Sequence, residues 1–572
     1  MHVLSRHWQT LKSLFNFEAS INTVSLHVAL FLVLLGNFAF WQAIGDALGQ
    51  FNLHAIVFMA GLAVVITALI NLLLMFVSFP YIFKPVVIVL LLCSAAASYF
   101  MQSYGVMLDV TMLQNVLETH PSEALELLSF KLVFSMLLFG VLPALVIART
   151  HIAYKSLARE SLAKVLGIGI TLCVMLAVLF MGYKDFVSFG RNHSEMKYLI
   201  NPLNYIIALK HYGAQHWVQK KPIRKLGEDA YVLTRWENRG KKNLTILVIG
   251  ETARASSFSL NGYTRNTNPK LATQDIINYS NTWSCGTATA ISLPCMFSNL
   301  GREEFSDDTA RHEENLLDVL QYAGVKVAWR DNNSGCKGVC TRVETLELTN
   351  TRDSKDCTGD GCYDDILFNN LQNYVDDLKT DAVIVLHQQG SHGPSYHLRY
   401  PKEFAVFKPF CDSNQLEDCS REEVVNVYDN TILYTDHVLN GVIEFLKQNK
   451  TQFNTAMMYI SDHGESLGED GVYLHGLPYI FAPDEQKHVP FIVWISDQFA
   501  ATAGINKNCL KARSQEQYSH DNLFHSVLGL MSVDSVSYNP DLDVFAPCNR
   551  YTFKRIARNR PVLQPATTAA RF

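Results

Sequence analysis

Ala456-Met457-Met458-Tyr459-Ile460 runs straight into Ser461-Asp462-His463-Gly464-Glu465. Five apolar residues closing on a turn read as a strand buried on both faces, with Asp462 and His463 at its carboxyl end. Open α/β sheets bind ligands at that edge, and a carboxylate beside an imidazole can share one zinc ion. On its own, Asp-His-Gly also suits a turn with a surface histidine, so partners elsewhere decide its meaning. A second run, Asn243-Leu-Thr-Ile-Leu-Val-Ile-Gly250, ends in the same way, with Glu251 and Thr252 at its mouth. Further strands are expected at 325–329, 382–386 and 489–494, with helical patterns at 314–322 and 424–446. Strands alternating with helices predict a doubly wound α/β domain that carries Glu251, His387, Asp462 and His463 on one edge.

Ahead of this domain the composition changes. Hydrophobic residues make up 49% of the chain and are concentrated in its first third. Stretches 26–44, 55–79, 85–101, 132–148 and 165–183 each approach or exceed the length a spanning helix needs, so five membrane helices are expected. A cleaved signal peptide is the rival for the first, but four more spans follow it and no small-residue cleavage site stands after Trp41. Arg6, Lys12, Lys84, Arg149, Lys155, Arg159 and Lys164 mark the cytoplasmic ends. Loops 45–54 and 102–130 carry no Lys or Arg, which leaves the large C-terminal part outside the cytoplasm. The division expected is residues 1–183 transmembrane, 184–240 linker, 241–560 catalytic and 561–572 tail.

Ten of the twelve cysteines follow Gly240, an even set in an exported region. The economical pairing joins Cys285 with Cys295, Cys336 with Cys340, Cys357 with Cys362, Cys411 with Cys419 and Cys509 with Cys548. A cysteine-rich zinc site is the alternative, and an oxidising compartment favours disulfides. The linker mixes Tyr198, Tyr205, Tyr212 and Trp217 with Lys210, Lys220, Lys221, Arg224 and Lys225, which suits a headgroup interface or an ordinary basic tether. A net charge of −5, with the basic residues where a membrane face is expected, gives nucleic-acid binding no support.

A nucleophile is sought near the metal edge, in Ser284-Cys285-Gly286-Thr287-Ala288-Thr289-Ala290-Ile291-Ser292-Leu293-Pro294-Cys295. Small residues run there into a helical pattern, and a hydroxyl at a helix start has backbone N–H groups at hand to receive a phosphate. Ordinary N-capping explains the same residues. Thr287 and Thr289 compete, and spacing alone does not choose between them. In the outer loop, Asn115, Thr119 and Glu123 recur every fourth residue and so share one helical face, where Glu123 is able to pair with an ammonium group.

Taken together, these motifs resemble the lipid A phosphoethanolamine transferases, the membrane-anchored family of the alkaline phosphatase and sulfatase superfamily that includes the mobile colistin-resistance enzymes. The match spans nearly the whole chain: Glu251-Thr252-Ala253-Arg254, Cys285-Gly-Thr-x-Thr289, Asp331-Asn-Asn333 with Lys337, His387 with Ser391-His392-Gly393-Pro394, Asp462-His463-Gly464-Glu465, and His475-Gly476. The resemblance implies that Glu251, Thr289, Asp462 and His463 hold one tightly bound Zn²⁺, with a second zinc during turnover. It implies that Thr289 is the catalytic residue that becomes covalently modified, and that His392 and His475 contact the phosphoryl group or a second metal. Asn333, Lys337 and His387, with Asn115, Thr119 and Glu123, would bind substrate.

The activity implied is transfer of phosphoethanolamine from phosphatidylethanolamine to a phosphate of lipid A, by a monomer in the Gram-negative inner membrane whose catalytic domain is periplasmic. Capping phosphates lowers surface negative charge and so weakens binding of polymyxin and other cationic peptides. Alternatives are the same transfer to a lipopolysaccharide core sugar, a periplasmic glucan or a protein, or hydrolysis by a phosphatase or sulfatase. A sulfatase requires a Cys-x-Pro-x-Arg pattern, and none lies near Thr289. A non-catalytic scaffold is disfavoured by the intact ligand residues.

Overall fold

The computed structural model describes residues 18–49, 52–119, 121–217, 222–233, 240–349, 356–358 and 361–551. Arg6, Lys12, Lys220, Lys221 and the segment 561–572 lie outside the described residues. The membrane part contains helices α1 (Ile21–Leu35), α2 (Phe38–Leu48), α3 (Leu53–Phe76), α4 (Phe83–Tyr104), α5 (Val110–Glu118), α6 (Pro121–Glu126), α7 (Phe130–Arg149) and α8 (Leu157–Met181). Among the described residues, α3, α4, α7 and α8 are long and apolar enough to cross a membrane. The stretch 26–44, expected as one span, is instead a pair of helices, α1 and α2, bent by 56°, and counting that pair as one gives five.

The bend has a local cause. Buried Asn37 donates to the carbonyls of Leu32 and Asn201, while Asn201 donates to those of Gly36 and Ser94. Backbone groups freed at the break therefore find protein partners, as an apolar surround demands. At one end of the bundle Lys84 donates to Ala148 O and Lys164 to Ser78 O. Lys84 and Lys164, two of the residues read as cytoplasmic, thus sit together, opposite the end that meets the catalytic part.

Two linker helices, α9 (Tyr183–Asn192) and α10 (Leu203–Trp217), lead onward. Tyr205 departs from the expected headgroup role: its hydroxyl lies 3.1 Å from Ser94 Oγ and 3.3 Å from Leu90 O, so it packs on α4.

The catalytic part is built on β1 (Lys242–Gly250), β2 (Ile276–Trp283), β3 (Lys326–Asp331), β4 (Glu344–Glu347), β5 (Ala382–His387), β6 (Phe453–Ser461), β7 (His488–Ile495) and β8 (Tyr518–Ser519). These form one sheet in the order β8-β2-β7-β6-β1-β5-β3-β4. All neighbours are parallel except at β7, which is antiparallel to β6 and β2, so the sheet is mixed. Strand β1 shows why the sequence reads as continuously apolar: Leu247 and Ile249 enter one core, and Leu244, Ile246 and Val248 enter the other. Helices α11 (Thr289–Met296), α12 (Leu316–Tyr322) and α14 (Asp521–Leu530) cover the first face, and α13 (Arg421–Gln448) covers the second. The N-terminus of α13 is closed by a capping box between Ser420 and Glu423.

Register brings the site together. Ser461 pairs with Gly250 and His387 with Ile249, so the residues that follow β1, β5 and β6 emerge at one edge. The five cysteine pairs expected from the sequence are all bonded. Cys285 is joined to Cys295, Cys336 to Cys340, Cys357 to Cys362, Cys411 to Cys419 and Cys509 to Cys548. The alternative of a cysteine-rich zinc site falls with them, because a disulfide sulfur has no thiolate to offer a metal. Cys93 and Cys173, in the membrane part, are free.

Behind the sheet, Asp543 accepts from Tyr538 Oη and Phe545 N, both at 2.8 Å, and burial pushes its carboxyl up to about 7. Between its ordinary value and about 7 the folded chain holds a proton that the unfolded chain has released. This contribution to stability is present in acid and is lost as pH rises through about 7. Asp543→Asn, which stays neutral, should flatten the fall by roughly a few kcal/mol, read from denaturation midpoints at about pH 5 and about pH 8.

Candidate functional site

Glu251, Asp462 and His463 each offer a ligand atom, and these atoms lie within 4.8 Å of one another with all three residues buried. His463 Nε2 stands 3.3 Å from Glu251 Oε1 and 3.4 Å from Asp462 Oδ2. The His463 Nδ1 position lies 2.9 Å from Gly464 O, so the ring donates there and turns its Nε2 to the cluster. Asp462 Oδ1 accepts from Thr252 N and His463 N, whereas buried Asp462 Oδ2 accepts no hydrogen bond.

Two buried carboxylates around one imidazole carry a charge conflict. Burial and the Glu251 charge push Asp462 up to about 7. Burial works against His463 as well, but Asp462 and Glu251 outweigh it and raise the ring to about 10. Glu251 is held well below its usual range: burial opposes this, and the hydrogen bond and charge of His463 prevail. An unbonded carboxylate oxygen and a set of one nitrogen and two carboxylate donors fit a divalent cation such as zinc.

The candidate nucleophile stands beside this cluster. Thr289 is the first residue of α11 and is half-buried, with its Oγ1 3.2 and 3.1 Å from the two Glu251 oxygens and 3.3 Å from His463 Nε2. Thr287 is committed elsewhere, donating to Leu477 O at 2.6 Å from a buried position. Thr289 is therefore the only one of the two whose hydroxyl meets the cluster. Strain is concentrated here: Thr252, β-branched, is held at φ +60° with its hydroxyl donating to Glu251 Oε1 at 2.7 Å. Gly390 has φ +55°, and a Cβ there would lie 2.5 Å from Glu251 O.

The remaining candidates divide. His392 and His475 are half-buried beside His463, with ring centroids 5.5 Å apart for His392–His475 and 4.3 Å for His463–His475. Asn333 is next to the site, and its amide nitrogen donates to Glu251 Oε2 at 2.8 Å and Gln388 O at 2.9 Å. His387 corrects the expectation of a substrate contact: it is fully buried, with Nδ1 3.0 Å from Asp331 and Nε2 3.4 Å from Asn333. Burial lowers the His387 imidazole, yet Asp331, Glu251 and Asp462 together hold it above its ordinary value. Lys337 donates to Ser334 O and Oγ at 3.3 and 3.2 Å within the loop closed by Cys336 and Cys340, and no bond ties it to Thr289 among the described residues.

In the outer loop, Asn115 and Met112 of α5 lie against Gly476, where a Cβ would fall 3.4 Å from Asn115 Nδ2. Thr119 caps α5 and donates to Asn115 O. The Glu123 side chain lies outside the described residues. The motif reading passed over Glu465, although it sits three residues after Asp462. It is fully buried, accepts Tyr396 Oη at 2.5 Å and lies 2.8 Å from His475 Nδ1. Burial pushes the Glu465 carboxyl up to about 8.

Comparisons with known proteins identify the family. The Sulfatase family model matches residues 243–533, and that described as Phosphoethanolamine transferase EptA/EptB matches residues 66–217. Phosphoethanolamine transferase EptA of Escherichia coli (strain K12) is 40% identical over 527 residues, covering 92% of this chain and 96% of that protein. Phosphatidylethanolamine transferase Mcr-1 of Escherichia coli is 37% identical over 495 residues, covering 83% and 90%. The solved integral membrane lipooligosaccharide phosphoethanolamine transferase A from Neisseria meningitidis superposes with a TM-score of 0.91 at 35% identity, covering 94% of this chain and 100% of that one. The protein is a multi-pass protein of the Gram-negative inner membrane with its catalytic domain in the periplasm. An alkaline phosphatase and sulfatase-like sheet behind a helical membrane part, matched along almost the full chain, places this protein in the phosphoethanolamine transferase family.

Proposed function

We propose that this chain moves phosphoethanolamine from phosphatidylethanolamine to a phosphate of lipid A in two steps through Thr289. The observation that carries the reading is the convergence of Thr289 Oγ1 on Glu251 and His463 in a member of this family. Glu251, Asp462, His463 and Thr289 would hold zinc, which when bound lowers the pKa of a hydroxyl and neutralises charge that develops on phosphoryl oxygens.

In the first step Thr289 Oγ loses its proton and attacks phosphorus, the bond to the diacylglycerol oxygen breaks, and that oxygen leaves with a proton. In the second, a lipid A phosphate oxygen attacks the same phosphorus, the bond to Thr289 Oγ breaks, and the threonine hydroxyl is restored. His392 and His475 face the departing and entering oxygens, with Glu465 keeping a proton at His475 Nδ1. The start of α11 offers backbone N–H groups to the phosphoryl oxygens. Asn115, Thr119 and Glu123 hold the ethanolamine headgroup from the membrane side. The lipid A product gains a cationic amine, which weakens binding of polymyxin and similar peptides.

Mass spectrometry of lipid A from cells expressing this chain tests the acceptor. A gain of phosphoethanolamine is expected. Unmodified lipid A beside modified core sugar, glucan or protein would reassign the acceptor, and phosphate release to water alone would make the chain a hydrolase.

A further inference from the structure

Arg399 is one of the most deeply buried cations outside the cluster, with its side chain 1% exposed. It joins two parts of the molecule. Its Nε donates to the main-chain carbonyl of His392 at 2.8 Å, while Nη1 and Nη2 grip the two carboxylate oxygens of Glu126, the former at 3.2 Å. Glu126 belongs to α6, in the outer connection of the membrane part, 273 residues away in sequence. The Glu126 carbonyl in turn accepts from Asn414 Nδ2 of the catalytic part. Around this point Tyr99 donates to Gln415 at 2.8 Å, and Lys131 bridges Glu417 and Asp418 at 2.9 and 2.5 Å.

The His392 segment is thus held from two directions. Its predecessor Ser391 donates its N–H to Glu251 O at 3.0 Å, which ties it to the candidate metal edge. The His392 carbonyl is held by an arginine whose other donors end on the membrane part. We propose that Glu126, acting through Arg399, is a positioning residue that sets His392 against the phosphoryl group, so that catalysis requires the outer connection to be docked. This rests on the role given to His392 above.

The residue types suit the task. A guanidinium is a planar fork that serves a carbonyl along one edge and a carboxylate along another, which a lysine ammonium cannot do at both places. Removing Glu126 leaves a buried cation without its counter-charge, and Arg399 must then turn away from His392 to find solvent.

The test uses the full-length protein in vesicles of phosphatidylethanolamine and lipid A, reading diacylglycerol release, zinc content and melting temperature for Glu126→Gln, Glu126→Asp and Arg399→Lys. A displaced catalytic group costs on the order of 10- to 100-fold, so Glu126→Gln and Arg399→Lys should lose that much kcat at unchanged KM and zinc content. Glu126→Asp, which keeps the charge, should recover most of the loss. A rise in KM with kcat retained would overturn the proposal in favour of headgroup binding, and unchanged kinetics would overturn it outright. Should Arg399→Lys fail to fold, the near-isosteric Glu126→Gln, outside the catalytic sheet, carries the test. A zinc-loaded wild-type protein that released no diacylglycerol would overturn the proposed function and this inference together.

Discussion

Thr289→Ala is expected to abolish transfer, with diacylglycerol release falling about 10⁴-fold or more, the scale seen when a covalent nucleophile is deleted. The size of the effect follows from the neighbours. Among the described residues the two neighbouring threonines are committed elsewhere: Thr287 donates to Leu477 O and Thr252 donates to Glu251 Oε1. Wild-type protein incubated with phosphatidylethanolamine without acceptor should carry a phosphoethanolamine adduct at Thr289, visible by mass spectrometry of the tryptic peptide. The alanine variant should carry none. Full transfer by Thr289→Ala would sink the two-step scheme and point to direct attack by the acceptor.

The second large effect concerns the charge conflict at the cluster. Chelation of zinc should abolish activity and lower the melting temperature, because Glu251 and Asp462 are then buried together with only His463 between them. An uncompensated buried charge costs roughly 3–5 kcal/mol, a large share of a domain's stability. Asp462→Asn should also lose zinc and activity, yet without metal it should melt above the chelated wild type, since one of the two repelling charges is gone. The order of those two melting temperatures is the decisive reading. A chelated wild type as stable as the loaded protein, or more stable than metal-free Asp462→Asn, would show that no cation is needed at this site.

Much of this was legible before any coordinates. Strands buried on both faces read as largely apolar runs, so β1, β5 and β6 announce themselves, and the polar residues that end them mark the ligand edge. Strand β2 escaped notice because the polar run Ser280-Asn281-Thr282 breaks any alternation in Ile276–Trp283, and β4 because all four of its residues are exposed. The reversed direction of β7 was equally invisible, since a fully buried strand has the same composition in either direction.

The sequence by itself determined what depends on neighbours along the chain: the apolar runs, the change of composition between the membrane part and the rest, and the residue types at the strand ends. Tertiary structure alone decided what depends on groups far apart in sequence meeting in space. It selected Thr289 over Thr287 by placing one against Glu251 and the other against Leu477. It tied Asn333 to Glu251 and His387 to Asn333, bent the first span through an asparagine 164 residues away, and joined Glu126 to Arg399. Each of these is a polar group whose burial obliges it to find a partner, and only the folded chain determines which partner is within reach.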